Sequence, residues 1–164
     1  MDRTIVGYHH DDVDEWVADL ACGHSQHIRH NPPFLEHPWV LEATGRDSRL
    51  GQLIECPLCD RFEIPEGYRL GRTSTEWDGD SMAAALRRSH RLASGMWGRI
   101  VMGEGRMRFV SESDPVCDVV VTPYVPQSIP PEVAHRVEPL GPCALPSSSS
   151  GREPTSGTPL AHPR

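Results

Sequence analysis

Two short turns constrain this chain more than anything else in it. They are Cys22-Gly23-His24 and Cys56-Pro57-Leu58-Cys59. Zinc takes four thiolate or imidazole ligands in a tetrahedron. A Cys-x-x-Cys turn presents two thiolates to one ion, a Cys-x-His turn supplies the other two ligands, and Gly23 lets the backbone bend between them. The pair predicts a structural zinc site of Cys22, His24, Cys56 and Cys59. Residues 25–55 separate the two turns, so an insert of three or four strands is expected between them. His24, His27 and His30 compete for the single nitrogen position. The compact Cys-Gly-His turn favours His24 and leaves His27 or His30 as the alternative fourth ligand. A redox role for Cys-x-x-Cys would require a thioredoxin-like βαβ context, which the pattern lacks.

Composition removes several classes of partner. The 164 residues carry 23 acids against 16 cations, all arginine, for a net charge of −7. An acidic chain cannot neutralise a phosphate backbone, so nucleic acid is not an expected partner. No apolar run approaches the ~18 residues of a membrane span. Met1-Asp2-Arg3-Thr4 lacks the apolar segment of a signal peptide. These features predict a cytoplasmic protein whose five cysteines are thiols or metal ligands, not disulfides.

The chain divides by composition. Six of the nine histidines lie in the first 37 residues, and residues 1–62 hold five arginines and eleven acids, net −6. Glu63-Ile64-Pro65-Glu66-Gly67 punctuates the chain, and Pro146-Ser147-Ser148-Ser149-Ser150-Gly151 opens a tail with too few apolar residues to offset the entropy of ordering. The expected units are a zinc-binding module over 1–62, a second domain over 63–142 and a disordered tail over 143–164.

Short apolar runs between Gly and Pro turns predict a mainly β fold. Thr4–Tyr8 and Trp16–Ala21 read as a hairpin, and Trp39–Leu41 and Gly51–Glu55 as strands around a polar loop, Thr44–Arg49. Met96–Met102 and Met107–Val110 read as a hairpin closed by Gly103–Arg106. Asp118–Thr122 and Ala134–Glu138 are further strands. Ser81–Arg88, with three alanines and Asp80 as cap, reads as a short helix. Cys117 reads as a buried small hydrophobe and Cys143 as exposed.

The stretch Trp16–Pro33 with Cys56-Pro57-Leu58-Cys59-Asp60-Arg61 resembles a family of small bacterial proteins of unassigned activity. That family carries Cys-Gly-His-x-Gln-His-x-Arg-His-x-Pro-Pro and a later Cys-Pro-Leu-Cys. The resemblance covers about residues 4–61 and implies a folded unit, in which a structural metal would compensate for a thin core.

Ile64–Leu70, Leu86–Gly98 and Ile129–Pro142 resemble the cupin-like domain found beside the methyltransferase in some tellurite-resistance B proteins. The resemblance implies a small β-barrel, without methyltransfer, because no glycine-rich nucleotide turn accompanies it. Such barrels often hold a metal, and His90 and His135 are its candidate ligands, with Glu104 or Glu132 to complete the shell. Period-2 alternation sets His135 and Glu138 on opposite faces. Family members continue past Glu138-Pro139-Leu140-Gly141-Pro142 into a final apolar strand. Here Cys143-Ala144-Leu145 meets the serine tract, so the barrel is expected to lack its last strand.

Three functions follow. The first is a zinc module fused to a cupin-like domain that binds a metal, a small molecule or an oxyanion, in a tellurite, oxyanion or metal stress response, with a homodimer through the barrel. The second is a metal-dependent cupin oxygenase or isomerase. The third is a zinc-finger regulator of a protein partner. Two histidines fall short of a three-ligand catalytic metal and no nucleophile arrangement appears, so the first, non-enzymatic reading is preferred.

Overall fold

The computed structural model describes residues 1–69, 71, 77–78, 82, 84 and 86–145. The fold is mainly β, as the sequence predicts. The first part contains β1 (Asp2–His10), β2 (Trp16–Leu20), β3 (Ser25–His27), α1 (Ala43–Asp47), β4 (Leu53–Glu55) and α2 (Pro57–Asp60). Its strands form one sheet in the order β3-β2-β1-β4, with each neighbouring pair antiparallel. The hairpin of β1 and β2 forms as expected, pairing Ile5 with Leu20 and His10 with Trp16. It is closed by Asp11, whose Oδ1 accepts the backbone N–H groups of Val13 and Glu15 at 3.0 and 2.8 Å. Ile5, Ala18 and Leu20 face a core that also contains Cys22, Cys56 and Cys59.

The insert between the two cysteine turns differs from expectation. It contains only two strands, β3 and β4. Trp39–Leu41, expected as a strand, lies in a 3-10 turn over Pro38–Leu41, and the expected polar loop is largely α1. Pro38 pre-sets the first helical φ and has no N–H to give to a sheet. Trp39 is then free to meet Tyr8 edge-on, with ring centroids 6.3 Å apart.

The second part contains β5 (Trp77–Asp78), β6 (Gly98–Ile100), β7 (Met107–Ser111), β8 (Cys117–Val121), β9 (Gln127–Ile129), β10 (His135–Pro139) and β11 (Ala144–Leu145). Three small sheets result: β10-β7-β8, β11-β5 and β6-β9. Alternation sends Met107, Phe109, Val121 and Val137 into one core. The opposite face of the largest sheet is an ion-pair ladder. Arg108 joins Asp118 and Glu138, and Arg136 joins Glu138 and Glu112.

Three expectations are corrected here. The Met96–Val110 segment is not a hairpin: β6 pairs with β9, while β7 pairs with β10 and β8. The glycine turn serves another purpose. Gly103 and Glu104 donate their N–H groups to the Ala144 carbonyl, and Ala144 N–H returns a bond to Glu104. Gly105 has φ +77°, and a Cβ there would collide with the Pro142 carbonyl. The turn therefore seats Cys143 and Ala144 at the start of β11. Cys143 is accordingly buried in the core, not exposed, while Cys117 is half-buried against it. The Ser81–Arg88 helix falls partly on residues outside the described ones, and its described residues from Leu86 to Arg88 lie in a turn and bend. The tail beyond residue 145 lies outside the described residues.

Side-chain contacts cross the division at residue 62. Phe62 packs on the second core, meeting Phe109 edge-on at 6.2 Å. Trp97, from the second part, is buried in the first core beside the cysteines.

Candidate metal centre

The segment after β2 turns back through Gly23, whose φ of +88° is open to glycine. The turn is closed by Gly23 N–H on the Leu20 carbonyl at 2.8 Å and places Cys22 and His24 side by side. On the other side Cys56 precedes α2 and Cys59 lies within it, so one helical turn returns both sulfurs to the same point. All four residues are buried, and their ligand atoms lie within 4.8 Å of one another.

The separations test the fit to a metal. His24 Nδ1 is 3.5 Å from Cys22 Sγ, 3.4 Å from Cys56 Sγ and 3.6 Å from Cys59 Sγ, and the Cys22 and Cys56 sulfurs are 3.9 Å apart. A tetrahedral ion at standard bond lengths requires S···N edges of about 3.6 Å and S···S edges of about 3.8 Å. These four edges match and all four atoms lie within 4.8 Å of one another, so the cluster could hold one metal ion. The electrostatics agree. A hydrogen bond from the Cys59 thiol, reinforced by His24, holds Cys22 well below the usual thiol range. Hydrogen bonding to Cys22 and burial push Cys59 up, and burial pushes Cys56 up. Three thiolates cannot share so small a buried volume unless a cation joins them.

Around the sulfurs lies a shell that sequence reasoning missed. Arg3 Nε donates to Cys59 Sγ at 3.3 Å, while its Nη1 donates to the Pro131 carbonyl at 2.9 Å. Trp97 Nε1 donates to the Cys22 carbonyl at 2.7 Å, and its ring meets His24 edge-on at 5.4 Å. Tyr68 donates its hydroxyl to the Cys22 and Gly95 carbonyls at 3.5 and 3.2 Å. No local spacing links Trp97 to Cys22, because 75 positions separate them.

The alternative nitrogen ligands are engaged elsewhere. His27 Nε2 lies 2.8 Å from Asp11 Oδ2, and His30 Nδ1 accepts the His37 N–H at 3.0 Å. His90 and His135 do come together, with rings 4.1 Å apart and reciprocal backbone bonds. Each Nδ1 faces a carbonyl, Arg88 at 3.0 Å and Val133 at 2.8 Å. Glu104 and Glu132 do not complete this pair: among the described residues no third ligating side chain joins it. Sequence reasoning also missed a second cluster of three, Asp11, Glu15 and His27.

Fold and centre together define a mainly β protein with a buried Cys/His metal-binding cluster. Its two parts match two families. Residues 6–63 match the family described as a protein of unknown function, DUF3565, and residues 72–145 match the TehB-like domain. Among solved structures, TehB from Haemophilus influenzae aligns at 23% identity over 47% of this chain and 29% of that one, with a TM-score of 0.42. A protein from E. coli strain K12 aligns at 18% identity over 62% of this chain and 97% of that one, with a TM-score of 0.50. This chain thus spans under a third of TehB and nearly all of the E. coli protein. No curated protein matches it. No helix among the described residues is long and apolar enough to cross a membrane.

Proposed function

We propose that the chain is a zinc-binding module, residues 1–62, fused to a cupin-like binding domain, residues 63–142, with the zinc as the structural joint between them. The observation that carries this reading is the tetrahedral spacing of Cys22, His24, Cys56 and Cys59 beneath Trp97, a residue of the other part. Three thiolates and one imidazole suit zinc, and a four-ligand site buried on all sides has no position for substrate, which marks a structural role. One Zn²⁺ and three thiolates leave a single negative charge, which the Arg3 guanidinium on Cys59 answers. The cupin-like part takes a small molecule or oxyanion. The TehB-like match supports a place in a tellurite, oxyanion or metal stress response.

A second divalent metal at His90 and His135 is the subsidiary reading. In each neutral ring, an Nδ1–H donated to the neighbouring carbonyl leaves a lone pair on Nε2. Two nitrogens make a binding site short of a catalytic one, so binding is favoured over an oxygenase or isomerase activity.

Metal content per chain tests both readings. Wild type should hold one tightly bound zinc, Cys56→Ser should lose it together with the folded state, and His135→Ala should keep it. Full zinc retention by Cys56→Ser would overturn the centre. Equal numbers of metal ions bound by wild type and His135→Ala would overturn the barrel site.

A further inference from the structure

We infer a second, solvent-accessible site for a divalent transition-metal ion at Asp11, Glu15 and His27, on the rim of a cavity in the N-terminal part. The β1–β2 turn carries both carboxylates, and β3 lies beside β2 with His27 paired to Val17. One ligand atom from each of the three residues falls within 4.8 Å of the others. The carboxylates are already oriented. Asp11 Oδ1 is held by the N–H groups of Val13 and Glu15, and Glu15 Oε2 is held by Arg29 Nε at 3.0 Å. One oxygen of each acid is therefore fixed by an outer hydrogen bond, as is common for ligating carboxylates. Asp11 Oδ2 and His27 Nε2 lie 2.8 Å apart. An ion would sit between them in place of this direct contact.

The donor set differs in kind from the cysteine centre. One imidazole and two carboxylates suit the borderline ions from manganese to zinc, and thiolates are absent. The site is open where the other is closed: the Asp11, Glu15 and His27 side chains are 23%, 41% and 46% exposed. Three protein ligands leave coordination positions for water or a small ligand.

The cavity is an independent observation. It measures about 360 Å³ and shares Glu15 with the cluster. Arg29 and His30 line it beside the apolar walls of Trp16 and Val40. His30 Nδ1 accepts the His37 N–H, so the neutral ring carries its proton on Nε2.

Mn(II) is the probe, because it prefers oxygen and imidazole donors over thiolates. Its binding is thus read separately from the fate of the cysteine centre. Titration of the zinc-loaded full chain, followed by the electron paramagnetic resonance signal of free Mn(II), should show one Mn(II) bound per chain. Asp11→Asn keeps the Oδ1 acceptor of the turn, and His27→Ala alters an exposed residue. Each should weaken Mn(II) at least about tenfold, the scale set by removing even an outer partner of a ligand. Circular dichroism confirms the fold of both. No Mn(II) uptake by wild type, which would mark the cluster as an ion pair only, overturns the site. So does uptake unchanged in both variants.

Discussion

Trp97 Nε1 donates to the Cys22 carbonyl at 2.7 Å, so a residue of the second part closes the ligand turn of the first. Trp97 is 2% exposed and belongs to the same core as Cys22, Cys56 and Cys59. Trp97→Phe should keep the ring but lose the bond, lowering stability by about 1–2 kcal/mol. Trp97→Ala leaves a cavity over the sulfurs and should lower it by about 3–5 kcal/mol. Urea unfolding of the metal-loaded chain measures both. Equal losses would mean that the ring contributes nothing beyond its hydrogen bond.

Arg3 links Cys59 to Pro131 and is itself buried. Arg3→Met preserves the length of the side chain and removes both bonds. Metal transfer to a chromophoric chelator should become about 10–100-fold more favourable, the range for losing a partner of a metal ligand. An unchanged transfer equilibrium would show that the guanidinium does not act on the thiolate.

Gly23 has little freedom to change. Its φ is +88°, and a Cβ would run into the Tyr68 hydroxyl. Gly23→Ala should destabilise by about 1–2 kcal/mol from the left-handed backbone alone, with a further loss as Tyr68 is displaced. Pairing it with Tyr68→Ala separates the two terms in a double-mutant cycle, because Ala removes the hydroxyl and the ring carbons into which the new Cβ would run.

His135 makes stability depend on pH. Burial holds its imidazole below the ordinary value, and neighbouring His90 adds to this, while the bond to Val133 and the Glu112 charge oppose it. The unfolded chain takes up this proton at a pKa of about 6.5, before the folded chain does. The contribution of His135 is therefore fully present above that pH. It is lost progressively as pH falls from there toward the lower, folded value. Thermal melts between pH 7.5 and 5.5 should fall more steeply for wild type than for His135→Asn, a variant that keeps a donor near the Val133 carbonyl. Parallel curves would show that His135 titrates alike in both states.

Legibility in the sequence followed locality. The metal centre could be read because its ligands come in two pairs, each within one turn, and geometry within a turn is nearly fixed by spacing. The β1–β2 hairpin and β10 could be read because alternation over five residues or more leaves one face apolar, as in Ile5 opposite Leu20 and Val137 opposite Phe109. What could not be read depended on distant partners. Gly103–Arg106 has the chemistry of a hairpin turn, yet its neighbours are Pro142–Ala144, and β7 found better apolar partners in β8 and β10. The Trp97 lid and the Arg3 link likewise join residues far apart in sequence. His27 stood out as a rival zinc ligand because of its regular spacing from His24 and His30, while its actual partner, Asp11, sits in the preceding hairpin turn.

Phe62 and Trp97 cross the boundary between the two parts in opposite directions, each filling a socket in the other. A chain cleaved after residue 62 would therefore yield two fragments with reciprocal defects, each holding the plug that its counterpart lacks. Each fragment would lack one side chain that packs on its core, and the two together contain everything that the uncut chain uses. Such halves are suited to fragment complementation, with metal uptake as the signal that they have met.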